Sequence, residues 1–182
     1  MATLSYGLIT SLDGYVADAN GRFDWGIPSD EQHEFVNQQE SLIDTFLYGR
    51  RLYEIMVFWE THRPDPGVEE DYAEIWRARN KMVVSSTLDA VTTDRTSLIR
   101  SMDVTALQTL KRESSGTLSI GGPTFAANAI RAGLVDEFQF YVCPLVVGGG
   151  LRALPEGAAL DLELVENRRF DNGVVFSRYR PR

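Results

Sequence analysis

Two consecutive arginines close a short apolar run in Leu47-Tyr48-Gly49-Arg50-Arg51. Where a strand ends and a helix begins, fixed cations beside free backbone N–H groups suit a phosphate. A solvated arginine pair after an ordinary strand-end turn fits the same string. Val83-Val84-Ser85-Ser86 ends in two hydroxyls that could serve the same anion. Ser119-Ile120-Gly121-Gly122-Pro123-Thr124-Phe125 reads as a strand, a Gly-Gly turn and a helix start. A turn without Cβ atoms lets backbone approach a ligand closely, and the helix dipole behind it attracts pyrophosphate. Taken alone, the glycine pair equally serves a tight turn that needs positive φ. A fourth string, Trp25-Gly26-Ile27-Pro28-Ser29-Asp30, carries an acid into a helix.

The elements that must position these residues follow from pattern. An apolar strand over Thr3 to Ser11 stops at the turn dipeptide Asp13-Gly14, and Tyr15 to Asp24 reads as a loop or short hairpin. Ser29 with Gln32 three residues on forms a capping-box start, and Phe35, Val36, Leu42 and Ile43 give that helix a buried face. Strands are expected at Thr45–Tyr48, Lys81–Ser85, Ser97–Arg100, Thr117–Ile120, Phe138–Cys143, Leu160–Arg169 and Val174–Arg180. Helices are expected from Arg50 to about Phe58, over Glu69–Arg79, Val104–Arg112 and Pro123–Arg131. Strands alternate with helices to residue 137 and then only strands follow, an order that predicts an α/β domain with a mostly parallel sheet and an antiparallel C-terminal edge.

Composition narrows the function classes. The 182 residues are 43% hydrophobic and 24% charged, in the range of a globular domain with a real core. A net charge of −8 argues against a nucleic-acid binder, which presents a basic face. Two histidines and one cysteine, far apart, leave no zinc-type ligand set. Cys143 alone can form no internal disulfide, which agrees with a reducing, cytoplasmic address. The apolar runs are too short to span a bilayer. There is no G-x-G-x-x-G after the first strand, no Walker lysine motif and no G-x-S-x-G elbow. His33 and His62 are expected at the surface, Cys143 in the core, and Trp59 and Trp76 facing the substrate or a partner subunit.

The four strings, in this order, resemble dihydrofolate reductases. The stretch from Val135-Asp136-Glu137-Phe138 through Gly148-Gly149-Gly150 looks more like a cousin, the reductase domain of the riboflavin-biosynthesis deaminase-reductase and its stand-alone relatives. The resemblance runs from Leu4 to Tyr179. It implies one dihydrofolate-reductase-like domain over residues 1–182, with a mixed, mostly parallel central sheet, helices on both faces and antiparallel C-terminal strands. It implies NADPH as cofactor, with Gly49, Arg50 and Arg51 at the 2′-phosphate and pyrophosphate, and Ser85 and Ser86 adding hydroxyls. Gly121, Gly122, Pro123 and Thr124 would contact the cofactor, Phe125 would lie beside it, and Ile9 would pack on the nicotinamide. Asp30 stands where the resembled reductases place the carboxylate that supports protonation of the substrate; it is equally a favourable first-turn residue of any helix. Asp13 and Trp25 would border the substrate, set against an Asx turn and a buried structural tryptophan. The resembled riboflavin-type domains pair through the region of Phe138 to Val147, expected near a sheet edge, which implies a homodimer.

The departures concern the substrate. Leu52 stands where dihydrofolate reductases carry a threonine, and the Glu60–Asn80 segment has no counterpart of their arginine for the folate tail. The riboflavin-type domain reduces the ribosyl group of a phosphorylated aminopyrimidine, and no lysine cluster for that phosphate is evident here. The expected activity is reduction of a small heterocyclic (pyrimidine- or pterin-like) or carbonyl substrate. The alternatives are a dihydrofolate-reductase-like activity and a non-catalytic dinucleotide-binding module.

Overall fold

The computed structural model describes every residue, Met1–Arg182. In chain order the elements are β1 (Thr3–Thr10), β2 (Tyr15–Ala17), a 3-10 turn (Asp24–Gly26), α1 (Asp30–Glu40), β3 (Thr45–Gly49), α2 (Arg50–Met56), α3 (Phe58–Thr61), α4 (Val68–Ala78), β4 (Asn80–Val84), β5 (Thr96–Ile99), α5 (Val104–Glu113), β6 (Thr117–Gly121), α6 (Pro123–Arg131), β7 (Glu137–Val142), β8 (Leu151–Arg152), β9 (Leu162–Arg169) and β10 (Val175–Pro181). Eight strands form one sheet in the order β5-β4-β3-β6-β1-β7-β10-β9. The first six run parallel, and β10 is antiparallel to both of its neighbours. The fold is the α/β arrangement expected from the sequence, a mostly parallel sheet with an antiparallel C-terminal edge.

Internal parallel strands must be covered on both faces. On one face α5 and α6 bring Leu107, Ala126, Ala129 and Ile130 against Leu4, Tyr6, Leu47, Leu118 and Phe138. The other face is covered in two separate patches. Phe35 of α1 packs on Tyr141, Phe170 and Phe176, while Trp76 of α4 packs with Phe46, Tyr48, Tyr53 and Val83. Between these patches the sheet carries the small residues Gly7 and Ser119, and a gap remains beneath the helices. One buried cation finds its partner at a seam. Lys111 Nζ lies 2.6 Å from the Asp136 carboxylate, which also accepts the Leu4 N–H at 2.7 Å.

Several expectations need correction. Leu42 does not belong to the buried face of α1, which ends at Glu40; Leu42 is 66% exposed beyond it. The helix from Arg50 breaks at Val57 into α2 and α3. The strand after Phe138 is not near an edge: β7 lies between β1 and β10, and the open edges are β5 and β9. Trp76 faces neither solvent nor substrate, being fully buried with its indole N–H donated to Tyr48 Oη at 3.2 Å. His33 is buried rather than at the surface, packed 5.6 Å from the Tyr72 ring. Of the loop or short hairpin expected over Tyr15 to Asp24, the loop is what forms, turning at Asp18–Arg22, while β2 pairs with β8, which reaches it from the glycine-rich loop. At Gly150 a Cβ would sit 2.1 Å from the Ala17 carbonyl, so only glycine permits this approach. No helix is long and apolar enough to cross a membrane.

Candidate functional site

A cleft of about 1550 Å³ opens where β1, β3 and β6 end and continues beneath α1 over Gly7 and Ser119. Crevices at the carboxyl ends of parallel strands are where open α/β sheets bind ligands. Gly49, Arg50 and Arg51 line it from the β3–α2 turn, and Gly121 to Phe125 from the β6–α6 turn. The two turns touch, since the position of a Gly49 Cβ would lie 3.0 Å from Phe125 Cβ.

The two arginines differ in their partners. Arg50 Nε is 2.7 Å from a Glu54 carboxylate oxygen, and its Nη1 donates to Thr87 Oγ1 at 2.9 Å. Arg51 is exposed on the cleft and forms no ion pair or hydrogen bond within the chain. Arg51 is therefore the free cation, whereas Arg50 is held in place by an acid that offsets its charge.

The hydroxyls are also sorted. Ser85 is buried and its Oγ accepts the N–H groups of Thr87 and Leu88 at 3.2 and 3.0 Å, so it turns the chain after β4. Neither Ser85 nor Ser86 lines the cleft; Thr87, the next hydroxyl in the run, does. At the glycine turn the pair divides two tasks. Gly122 has φ +87, with Leu52 Cβ 3.7 Å from where its own Cβ would be, and caps α6 with Pro123 at its first position. Gly121 instead makes room for Leu52, whose Cδ2 lies 2.4 Å from where a Cβ would be. Leu52 thus packs under this turn.

Ile9 and Trp25 line the cleft beside each other, with Gly26 resting on Ile9. The Trp25 indole N–H meets no acceptor. Asp13 lies outside the lining. Its carboxylate accepts the N–H groups of Val147 and Gly148 at 3.2 and 2.8 Å, and contact with the Ser11 hydroxyl first, then these amides, holds it below the usual carboxylate range. It thereby ties the turn after β1 to the loop that carries Gly150 and Leu151 into the cleft. Asp30 is exposed at the start of α1 and also lies outside the lining.

The carboxylate that does reach the inner cleft is Glu40, at the opposite end of α1. Phe46, Tyr48, Met56 and Tyr72 border the same space. Burial among them pushes the Glu40 carboxyl up to about 7. Burial also raises the Tyr48 and Tyr72 phenols well above their ordinary values, and the Glu40 charge adds to both shifts. Nothing in Gln38-Gln39-Glu40 marks this residue; its surroundings come from strands and a helix distant in sequence. For Thr87 a signal existed in the Ser85-Ser86-Thr87 run itself.

Known proteins resemble this chain in sequence and in fold. The chain is 28% identical over 172 residues to an uncharacterized protein of Bacillus subtilis, YyaP, covering 92% of this chain and 89% of the other. A crystal structure of a putative riboflavin biosynthesis protein from Shewanella superposes with a TM-score of 0.77 at 22% identity, covering 100% and 99% of the two chains. Dihydrofolate reductase from Enterococcus faecalis, solved with NADP(H), superposes with a TM-score of 0.64 at 16% identity over 98% and 96% of the chains. Residues 2–176 match the family described as the RibD C-terminal domain, and to that family of dihydrofolate-reductase-like folds this chain belongs.

Proposed function

We propose that the chain is an NADPH-dependent reductase of a small heterocyclic or carbonyl compound, of the 5-amino-6-(5-phosphoribosylamino)uracil reductase type. The observation that carries this reading is that Arg51, Arg50 and the Gly122 turn line one cleft at the carboxyl ends of the central strands. The residues fit the cofactor. Arg51, free of any acid, with Arg50 and Thr87 beside it, would take the 2′-phosphate; the turn from Gly121 to Phe125 would face the pyrophosphate, and Ile9 and Trp25 would wall the ring. When bound, NADPH supplies the hydride. The chain contributes binding, orientation and exclusion of water. Membership in a family of reductases supports an oxidoreductase over a purely structural domain.

The test is equilibrium titration with NADPH and NADH. NADPH should bind at least about tenfold more tightly, and Arg51→Ala should remove that preference, as loss of a charge-assisted phosphate contact requires. Equal affinity for both nucleotides, or none for either, would refute the reading. The same proposal places the protein in the cytoplasm as a homodimer. The exposed β9 edge, with Leu164 and Val165 about half exposed, is the surface suited to pairing. A monomer mass by light scattering at micromolar concentration would count against the dimer.

A further inference from the structure

The cleft has opposite charge at its two ends. At the mouth Arg51 stands unpaired beside the Arg50–Glu54 pair; from the end of α1 comes the half-buried Glu40, which lines the cleft and forms no salt bridge or side-chain hydrogen bond in the chain. The charged and titratable groups facing it are Tyr48 from β3, Tyr72 from α4 and Tyr141 from β7, none of them a cation at neutral pH. Arg178, on β10 beside Tyr141, is engaged elsewhere, by Glu166 at 3.2 Å, Glu137 at 3.6 Å and the Gln39 side-chain oxygen. A carboxylate drawn partly out of water beside aromatic rings and without a partner is costly, and natural sites keep one where a ligand completes it.

The walls define the shape of that ligand. Phe46 and Tyr48 lie in the same space with parallel rings, 5.5 Å apart at 9°, with Tyr72 also bordering it. The floor is flat because Gly7 and Ser119 place almost nothing above the sheet. A cleft surface lined by aromatic rings with an acid beside them accepts a planar ring that presents N–H donors or positive charge.

We infer that the inner branch of the cleft is a substrate-specificity site in which Glu40 receives the amino- or amidine-bearing edge of a planar heterocycle. The substrate class follows: an amino-substituted or cationic ring, entering with its nitrogen edge inward. A phosphate or carboxylate is rejected from this branch, because the anion would meet Glu40 with no cation to offset it. A substrate of the phosphoribosyl type can therefore keep its phosphate only outside the branch. This inference rests on the reductase reading for the word substrate, but the binding it describes does not require the cofactor.

Benzamidinium and benzoate, flat rings of equal size and opposite charge, are the probes. Each is titrated into the full chain at about pH 8.5, above the Glu40 value, with ligand-observed NMR as readout. Benzamidinium should bind and benzoate should not. Glu40→Gln should weaken benzamidinium at least about tenfold, the scale of one charge-assisted hydrogen bond, and leave NADPH affinity unchanged. Benzoate binding as tightly as benzamidinium, or benzamidinium binding equally to the Gln variant, would overturn the inference. The wild-type comparison of the two probes stands even without the variant. Absence of NADPH binding would sink the reductase reading while leaving the probe result intact.

Discussion

Glu40→Gln also has a consequence for stability that can be worked through from the cleft. The carboxyl titrates near 7 in the folded protein against an ordinary value of 4.5. Between those values the native state holds a proton that the unfolded chain has released, so stability falls as pH rises through this window. At about 1.4 kcal/mol per pH unit, the ionised Glu40 costs the fold up to about 3 kcal/mol above pH 7. Below about pH 4.5 both states are protonated and the cost is absent. The amide of glutamine has nearly the same shape and never ionises. The variant should therefore match the wild type within about 0.5 kcal/mol at about pH 4 and exceed it by as much as about 3 kcal/mol at about pH 8.5. For a chain of this length each kcal/mol moves the melting temperature by roughly 2–4 °C, which gives a gain of roughly 6–12 °C at the higher pH. Access of water from the cleft makes this an upper figure. Thermal denaturation of both proteins at the two pH values, followed by circular dichroism, provides the comparison. A variant as stable as wild type at both pH values, or less stable at the higher one, would show that Glu40 is not held as described.

Three other perturbations address the frame around the cleft. Gly121→Ala drives a Cβ to 2.4 Å from Leu52 and 3.2 Å from the Tyr48 ring, and should cost about 1–3 kcal/mol, partly restored by Leu52→Ala in the same chain; additive effects in a double-mutant cycle would contradict the packing role. Asp136→Ala strands the buried Lys111 ammonium and leaves the Leu4 N–H without its acceptor, so the denaturant midpoint should fall by the equivalent of about 2 kcal/mol. Asp13→Ala releases the amides of Val147 and Gly148; hydrogen exchange should quicken across residues 147–152 while the central strands keep their protection, and a uniform loss of protection would show a global role instead.

Much of this frame was legible in local chemistry. The Pro123 that follows Gly122 fixes the start of α6, and the helix ends at Arg131 as its pattern requires. Ser29 does accept the Gln32 N–H, at 3.4 Å, and the arginines do stand on the cleft. What could not be read depends on pairing between distant segments. The apolar alternation in Phe138 to Val142 marks a strand, but its place between β1 and β10 is set by residues elsewhere in the chain. β8 is two residues long and carries no periodicity, so only its partner reveals it. Asp30 and Glu40 bracket the same helix, and a helical sequence alone does not tell which end turns an acid into the cleft. The first is favoured by capping chemistry visible in its neighbours; the second owes its setting to Phe46, Tyr48 and Tyr72.

The central position of β1, hydrogen-bonded on one side to β6 and on the other to β7, has a bearing on how the protein is made. Of these strands β1 leaves the ribosome ahead of the rest, and it has no sheet partner until residues 117 to 142 have been synthesised. At about 5–20 residues per second, roughly 5–20 s separates Thr10 from Thr117. For that interval an apolar strand with both edges open is exposed, and the helices and strands in between cannot shield it on their own. The nascent chain is then a candidate for chaperone capture, and slowing translation between β1 and β6 should lower the yield of folded protein.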